Sequence, residues 1–103
     1  MSEQIRKRWT LADLRTCRDE IIALAEKRGA SNVRVFGSVV REETHPQSDI
    51  DFLVTFKEGS SIFDQVGLWL DLQDFLNCQI DLLADHPEGG RVTQIARSLA
   101  VVL

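Results

Sequence analysis

The sequence predicts an α/β (α+β) fold, a small mixed β-sheet with helices packed on it, and three observations carry that expectation. The chain has 103 residues, a length that suits one hydrophobic core. Apolar residues make up 44% and charged residues 27%, the balance of a folded globular chain. Short stretches of period-two alternation are interleaved with stretches of helical period, in the order α-β-(α)-β-α-β-α, which builds a sheet with helices against it. No repeat, low-complexity tract or linker divides the chain, so residues 1–103 read as a single domain.

The first helix is predicted over residues 10–28. Thr10 offers a hydroxyl cap with Asp13 three residues on. Leu11, Leu14, Cys17, Ile21, Leu24 and Ala25 mark its stripe, and Gly29 is a suitable left-handed stop. Val33 and Val35, alternating with Arg34 and Phe36, form a short strand that stops at Gly37-Ser38. Residues 39–43 suit one helical turn, and residues 42–48, with Pro46, a loop. The stretch 49–56, DIDFLVTF, reads as a strand with Ile50, Phe52, Val54 and Phe56 on one face. Asp49, Asp51, Leu53 and Thr55 fall on the other. Ser60 or Ser61 caps a helix over 62–76, with Asp64 in its first turn. Ile62, Phe63, Val66, Trp69, Leu70 and Leu76 form its broad apolar stripe. Leu68, Leu72 and Phe75 widen it beyond what one sheet face needs, through burial on two sides or through a partner or oligomer contact. Residues 79–84 form a third strand with Asp81 among apolar neighbours. Pro87, Gly89 and Gly90 turn the chain into a last helix marked by Val92, Ile95, Ala96 and Leu99. Residues 100–103 suit an extended end.

Composition excludes several function classes. Twelve Lys and Arg against 16 Asp and Glu give a net charge of −4, so a global electrostatic grip on nucleic acid is not expected. No apolar run approaches the ~18 residues of a membrane helix. Residues 1–9 lack the apolar core of a signal peptide. Cys17 and Cys78 share no metal-binding or disulfide spacing, and a reducing, cytoplasmic location is expected.

Three carboxylates stand out. Asp49 and Asp51 leave one face of a strand, roughly 6.5–7 Å apart at Cα. They repel unless a cation lies between them, and Mg²⁺ suits such oxygen donors; two solvated carboxylates on an exposed strand would look the same in sequence. Asp81 sits in a mostly apolar strand, where a carboxylate is costly to bury without a partner. Should that strand pair beside 49–56, three carboxylates converge on one face; otherwise Asp81 lies at the end of an edge strand. Gly37-Ser38, between a strand and a helical turn, has the form of a phosphate cradle, with Arg41 three residues on as a candidate phosphate ligand. An ordinary strand-end turn with a surface arginine is the alternative.

The combination is more specific than its parts. Gly37-Ser38, ten residues, Asp49-x-Asp51 and a third aspartate in a following strand form a composite signature. It resembles the DNA polymerase β-like nucleotidyltransferase superfamily. The stretch VRVFGSVVREETHPQSDIDFLV is similar to its minimal branch, the MNT or MntA-type antitoxins. One departure is Glu42, where many relatives have glycine after the arginine.

The resemblance implies a polymerase β-like nucleotidyltransferase fold and a Mg²⁺-dependent transferase with two ions and ATP as substrate. It implies Asp49, Asp51 and Asp81 as catalytic metal ligands, with Asp81 also helping to deprotonate the acceptor. Gly37 and Ser38 would orient phosphates, with Arg41 as a helper. It implies an antitoxin that transfers AMP to a hydroxyl, tyrosine foremost, of a HEPN-type ribonuclease toxin encoded nearby. This sequence contains no tyrosine, so such an acceptor would belong to another chain. Two alternatives stand beside it: neutralisation by stoichiometric binding, and transfer to a small-molecule acceptor.

Overall fold

The computed structural model describes residues 8–43 and 49–103. Among them, helices α1 (Leu11–Thr16), α2 (Arg18–Lys27), α3 (Ser38–Arg41), α4 (Ile62–Leu76) and α5 (Arg91–Leu99) alternate with strands. These are β1 (Ala30–Phe36), β2 (Ile50–Phe56), β3 (Ile80–Ala84) and β4 (Val101–Val102). They form a mixed sheet of order β3-β2-β1-β4. β1 is antiparallel to β2 and β4, and β2 is parallel to β3 through the α4 crossover. The expected α/β fold is therefore the one observed. Residues 44–48 of the expected loop, with His45 and Pro46, lie outside the described residues.

The single helix expected over 10–28 is two. The predicted capping box at Thr10 forms, with reciprocal 3.1 Å bonds to Asp13. At Cys17 the backbone leaves the helical region (φ −113°, ψ 26°). Its N–H donates to the Leu14 carbonyl, because the Asp13 carbonyl already accepts the Thr16 hydroxyl at 2.6 Å. A hydroxyl that competes for a helical carbonyl bends or breaks the helix there.

The core lies between one sheet face and the helices. Leu14, Ile21 and Ala25 meet Val33, Val35, Ile50, Phe52 and Val54, together with Leu68, Leu72 and Leu76 of α4. The face α4 buries is thus the 68/72/76 line. It is not the Ile62/Val66/Trp69 line that the sequence places at the centre of the stripe. Ile62, Phe63 and Leu70 are 62%, 80% and 51% exposed. The α2–α4 contact decides this choice. Arg28 donates to Asp71 at 3.0 Å, and a Cβ on Gly67 would lie 2.6 Å from the Arg28 guanidinium. This register turns Leu68 and Leu72 inward.

Helix α5 departs in the same way. Only Thr93 and Ala96 are buried, while Val92, Ile95 and Leu99 point outward. Its anchor is polar: Arg97 donates to Asp85, which also pairs with the buried Arg34 at 2.9 Å. The extended C-terminal end becomes β4, and Leu103 N–H donates to Val33. No helix among the described residues is long and apolar enough to cross a membrane.

Candidate active site

The parallel pairing of β2 and β3 sets Asp51 directly beside Asp81. Parallel strands need a long crossover, and α4 supplies it. Asp49 stands just before β2. The three carboxylates sense one another at Asp51, whose carboxyl is pushed up to about 6 from 3.8. Burial is the largest cause, followed by a side-chain hydrogen bond with Asp81, the Asp81 charge and the Asp49 charge; Arg41 pulls the other way. The hydrogen bond between two carboxyls needs a proton, so up to about pH 6 Asp51 keeps one that an ordinary aspartate releases near pH 4.

Gly37 ends β1 in a conformation (φ 78°, ψ −147°) open essentially to glycine. A Cβ here would lie 2.1 Å from Asp51 Oδ2. Glycine is required before any phosphate is considered, because the Asp51 carboxylate rests against its Cα. Ser38 then opens α3, whose first N–H groups have no intrahelical acceptor. Arg41 turns to Glu43, donating at 2.8 Å, and acts on Asp51 only through its charge. Glu42 closes the turn in the left-handed region (φ 60°), a conformation that glycine adopts without steric cost.

Among the described residues, no three His, Cys, Asp or Glu side chains stand arranged to hold a metal ion. The donor chemistry nevertheless fits a hard divalent cation. Asp49, Asp51 and Asp81 offer only oxygen, and the repulsion that raises Asp51 is what a cation would relieve.

Sequence reasoning missed the neighbouring cleft. A cavity of about 350 Å³ lies between β3 and α4, lined by the polar Asp49, Gln65, Gln79 and Asp81 together with Ile62, Val66, Trp69 and Leu82. The Trp69 indole N–H donates to the Ile80 carbonyl at 2.6 Å, which covers the sheet edge and fixes the ring. The wide apolar stripe on α4 was the signal available. It read as surplus because the buried line was assigned to the wrong residues.

Residues 19–97 match the family model described as polymerase beta, nucleotidyltransferase. A protein of Methanocaldococcus jannaschii, provisionally named a protein adenylyltransferase, is 41% identical over 64 residues, covering 62% of this chain and 69% of its own length. A solved structure provisionally described as a minimal nucleotidyltransferase is 35% identical, with a TM-score of 0.79, covering 92% of this chain and 97% of that one. The fold also matches a complex of an MNT antitoxin with a tri-AMPylated Shewanella oneidensis HEPN toxin. There the identity is 18% and the TM-score 0.64, covering 85% of this chain and 69% of that one. On the family match and the near full-length structural likeness, the chain belongs to the polymerase β nucleotidyltransferase family, in its minimal form.

Proposed function

We propose that the protein is an adenylyltransferase antitoxin: it transfers AMP from ATP to a hydroxyl of a HEPN-type toxin and thereby neutralises it. The observation that carries this reading is the register of Asp51 with Asp81, next to Asp49 and against Gly37. That arrangement sets carboxylates beside a backbone turn able to receive phosphate. The names of the relatives support adenylyl transfer as the chemistry.

In this reading the β- and γ-phosphates lie over Gly37 and Ser38, where the unpartnered N–H groups of a helix start attract anions. Asp49, Asp51 and Asp81 would hold Mg²⁺, which when bound offsets charge on the attacking and leaving oxygens. Asp51 must give up its proton for this, so nucleotide binding is favoured as pH rises through about 6. Asp81 accepts the acceptor's proton. The acceptor oxygen bonds to the α-phosphorus, the bond from that phosphorus to the bridging oxygen breaks, and pyrophosphate leaves with the electron pair. A tyrosine acceptor lies outside these 103 residues, which contain none. The exposed Ile62, Phe63 and Leu70 of α4 are the surface on which the toxin, or a second copy of the chain, would rest. The setting is the cytoplasm, without direct nucleic-acid or membrane contact.

The test is to incubate the protein with Mg²⁺, ATP and the HEPN-type product of a neighbouring gene, then weigh both by intact mass spectrometry. AMP-sized additions on the partner, lost in Asp49→Asn, are expected. An unchanged partner mass alongside a tight inhibitory complex would establish stoichiometric occlusion instead.

A further inference from the structure

Two helices carry apolar rows that the described residues leave uncovered. On α5, Val92, Ile95 and Leu99 are 70%, 51% and 54% exposed, and steps of three and four residues put them on one side of the helix. This row cannot turn inward, because Thr93 and Ala96 take the buried side and Arg97 ties it to Asp85. On α4 the 68/72/76 line is buried, which leaves Ile62, Phe63, Val66 and Leu70 outside. The two helices lie on opposite faces of the sheet. α4 packs on the face of Ile50, Phe52 and Val54. The fully buried Leu53 points to the other face in register with Arg34, which shares Asp85 with Arg97 of α5.

The charges beside the two rows are opposite. Residues 58–90 hold Asp64, Asp71, Asp74 and further acidic residues but no lysine or arginine; residues 89–103 hold Arg91 and Arg97 but no acidic residue. Asp71 is engaged by Arg28, and Arg97 by Asp85. Asp74, four residues on from Leu70, and Arg91, four residues before Ile95, are the exposed charges that flank the rows. Two α4 rows laid together would set Asp74 against Asp74, and two α5 rows Arg91 against Arg91; like charges across a contact oppose it. The net charge of −4 repels copies of the chain in general. An α5 row on an α4 row is the arrangement that matches apolar to apolar and positive to negative.

We infer that the outward row of α5 is a docking surface for the outward row of α4 on a second copy of this chain. Val92, Ile95 and Leu99 of one copy lie against Phe63 and Leu70 of the other, with Arg91 beside Asp74. The contact joins two different patches on opposite sheet faces, so each docked copy keeps a free row and association continues past two chains. Two helix faces bury less than the roughly 1,600 Å² of a standard interface, so the contact is weak and reversible. Any partner that takes the α4 row displaces the second copy. The free protein thereby shields, by self-association, the surface on which its partner would rest. The docking itself does not depend on nucleotidyl transfer.

Sedimentation velocity of the full chain, at concentrations up to about 1 mM, reads even a weak contact. The average mass should rise with concentration above that of one chain. Ile95→Asp and Phe63→Asp alter exposed side chains, and thermal melts should show both variants folded. Each alone should stay a single chain over the same range, because each lacks one of the two rows. Mixed in equal amounts they should form pairs and stop there, since one variant keeps the α4 row and the other the α5 row. Arg91→Glu and Asp74→Arg should each weaken association about threefold, and the two changes together on one chain should restore it. A protein that stays a single chain at every concentration overturns the proposal. So do variants that associate no better mixed than apart. A loss confined to Ile95→Asp or to Phe63→Asp also overturns it, because a row would then be meeting its own kind.

Discussion

Replacing Asp51 with asparagine should make the nucleotide-free protein more stable while abolishing transfer. The Asp51 carboxyl stands at about 6 instead of 3.8 because burial and the Asp81 and Asp49 carboxylates oppose its charge. Two units correspond to about 3 kcal/mol at about 1.36 kcal/mol per unit. The pair is partly open to water, and solvent screening reduces this to about 1.5 kcal/mol. Between about pH 4 and 6 the folded protein keeps a proton that the unfolded chain has released. Unfolding free energy therefore falls as pH rises through that window and stays lowered above it. Asp51→Asn removes the penalty and can still donate to Asp81. In EDTA at pH 7.5 the variant should melt about 10 °C higher, at about 4–8 °C per kcal/mol for a chain of this size. Near pH 4 the advantage should vanish. Urea melts of both proteins across pH 4–8 measure it. A variant that is no more stable at pH 7.5, or equally more stable at pH 4, would refute the account of carboxylates strained by one another.

Three further outcomes follow from the same geometry. Gly37→Ala should cost about 3 kcal/mol, from a glycine-only conformation and a Cβ 2.1 Å from Asp51 Oδ2; in urea melts, adding Asp51→Ala should recover the clash but not the backbone strain. Glu42→Gly should stabilise by about 0.5–1 kcal/mol, because φ 60° costs a side-chain-bearing residue about 1–2 kcal/mol and glycine's extra chain entropy takes back part of it; ATP affinity measured by calorimetry should rise as a carboxylate leaves the turn. Asp85→Asn should cost about 2–3 kcal/mol by stranding the buried Arg34. Hydrogen bonds from Arg97 and Arg34 hold the Asp85 carboxyl below its usual range, so that contribution is present above about pH 4 and fades in acid; equal stability of the two proteins at pH 7 would contradict it.

The elements were legible where local chemistry decides them. Thr10 with Asp13 marks a helix start, the alternation of DIDFLVTF marks a strand, and α4 occupies residues 62–76 as its pattern says. What the pattern does not carry is which face of an element the rest of the chain will cover. On α4 nine large apolar residues compete for one buried line. The winner is set by Arg28 meeting Asp71 across Gly67, a contact between residues 43 apart. Helix α5 is oriented through Arg97 and Asp85, so its apolar residues could not reveal its buried side. The break at Cys17 turns on the rotamer of one hydroxyl, Thr16, and no periodicity encodes that.

The candidate site divides along the same line. Asp49, Asp51 and Gly37-Ser38 are visible as a spaced pattern, because one hairpin-like pair of strands positions them. Asp81 becomes meaningful only through the parallel register that places it beside Asp51, and that register depends on the α4 crossover. The crossover helix also forms the inner wall of the cleft and sends Trp69 to the Ile80 carbonyl. One element thus does two things: it brings the third carboxylate into line and it shapes the space that the carboxylate faces. A substitution that shifts α4 along its buried 68/72/76 line would therefore disturb the aspartate register and the cleft together. Changes on its outer line, at Ile62 or Val66, reach the cleft alone.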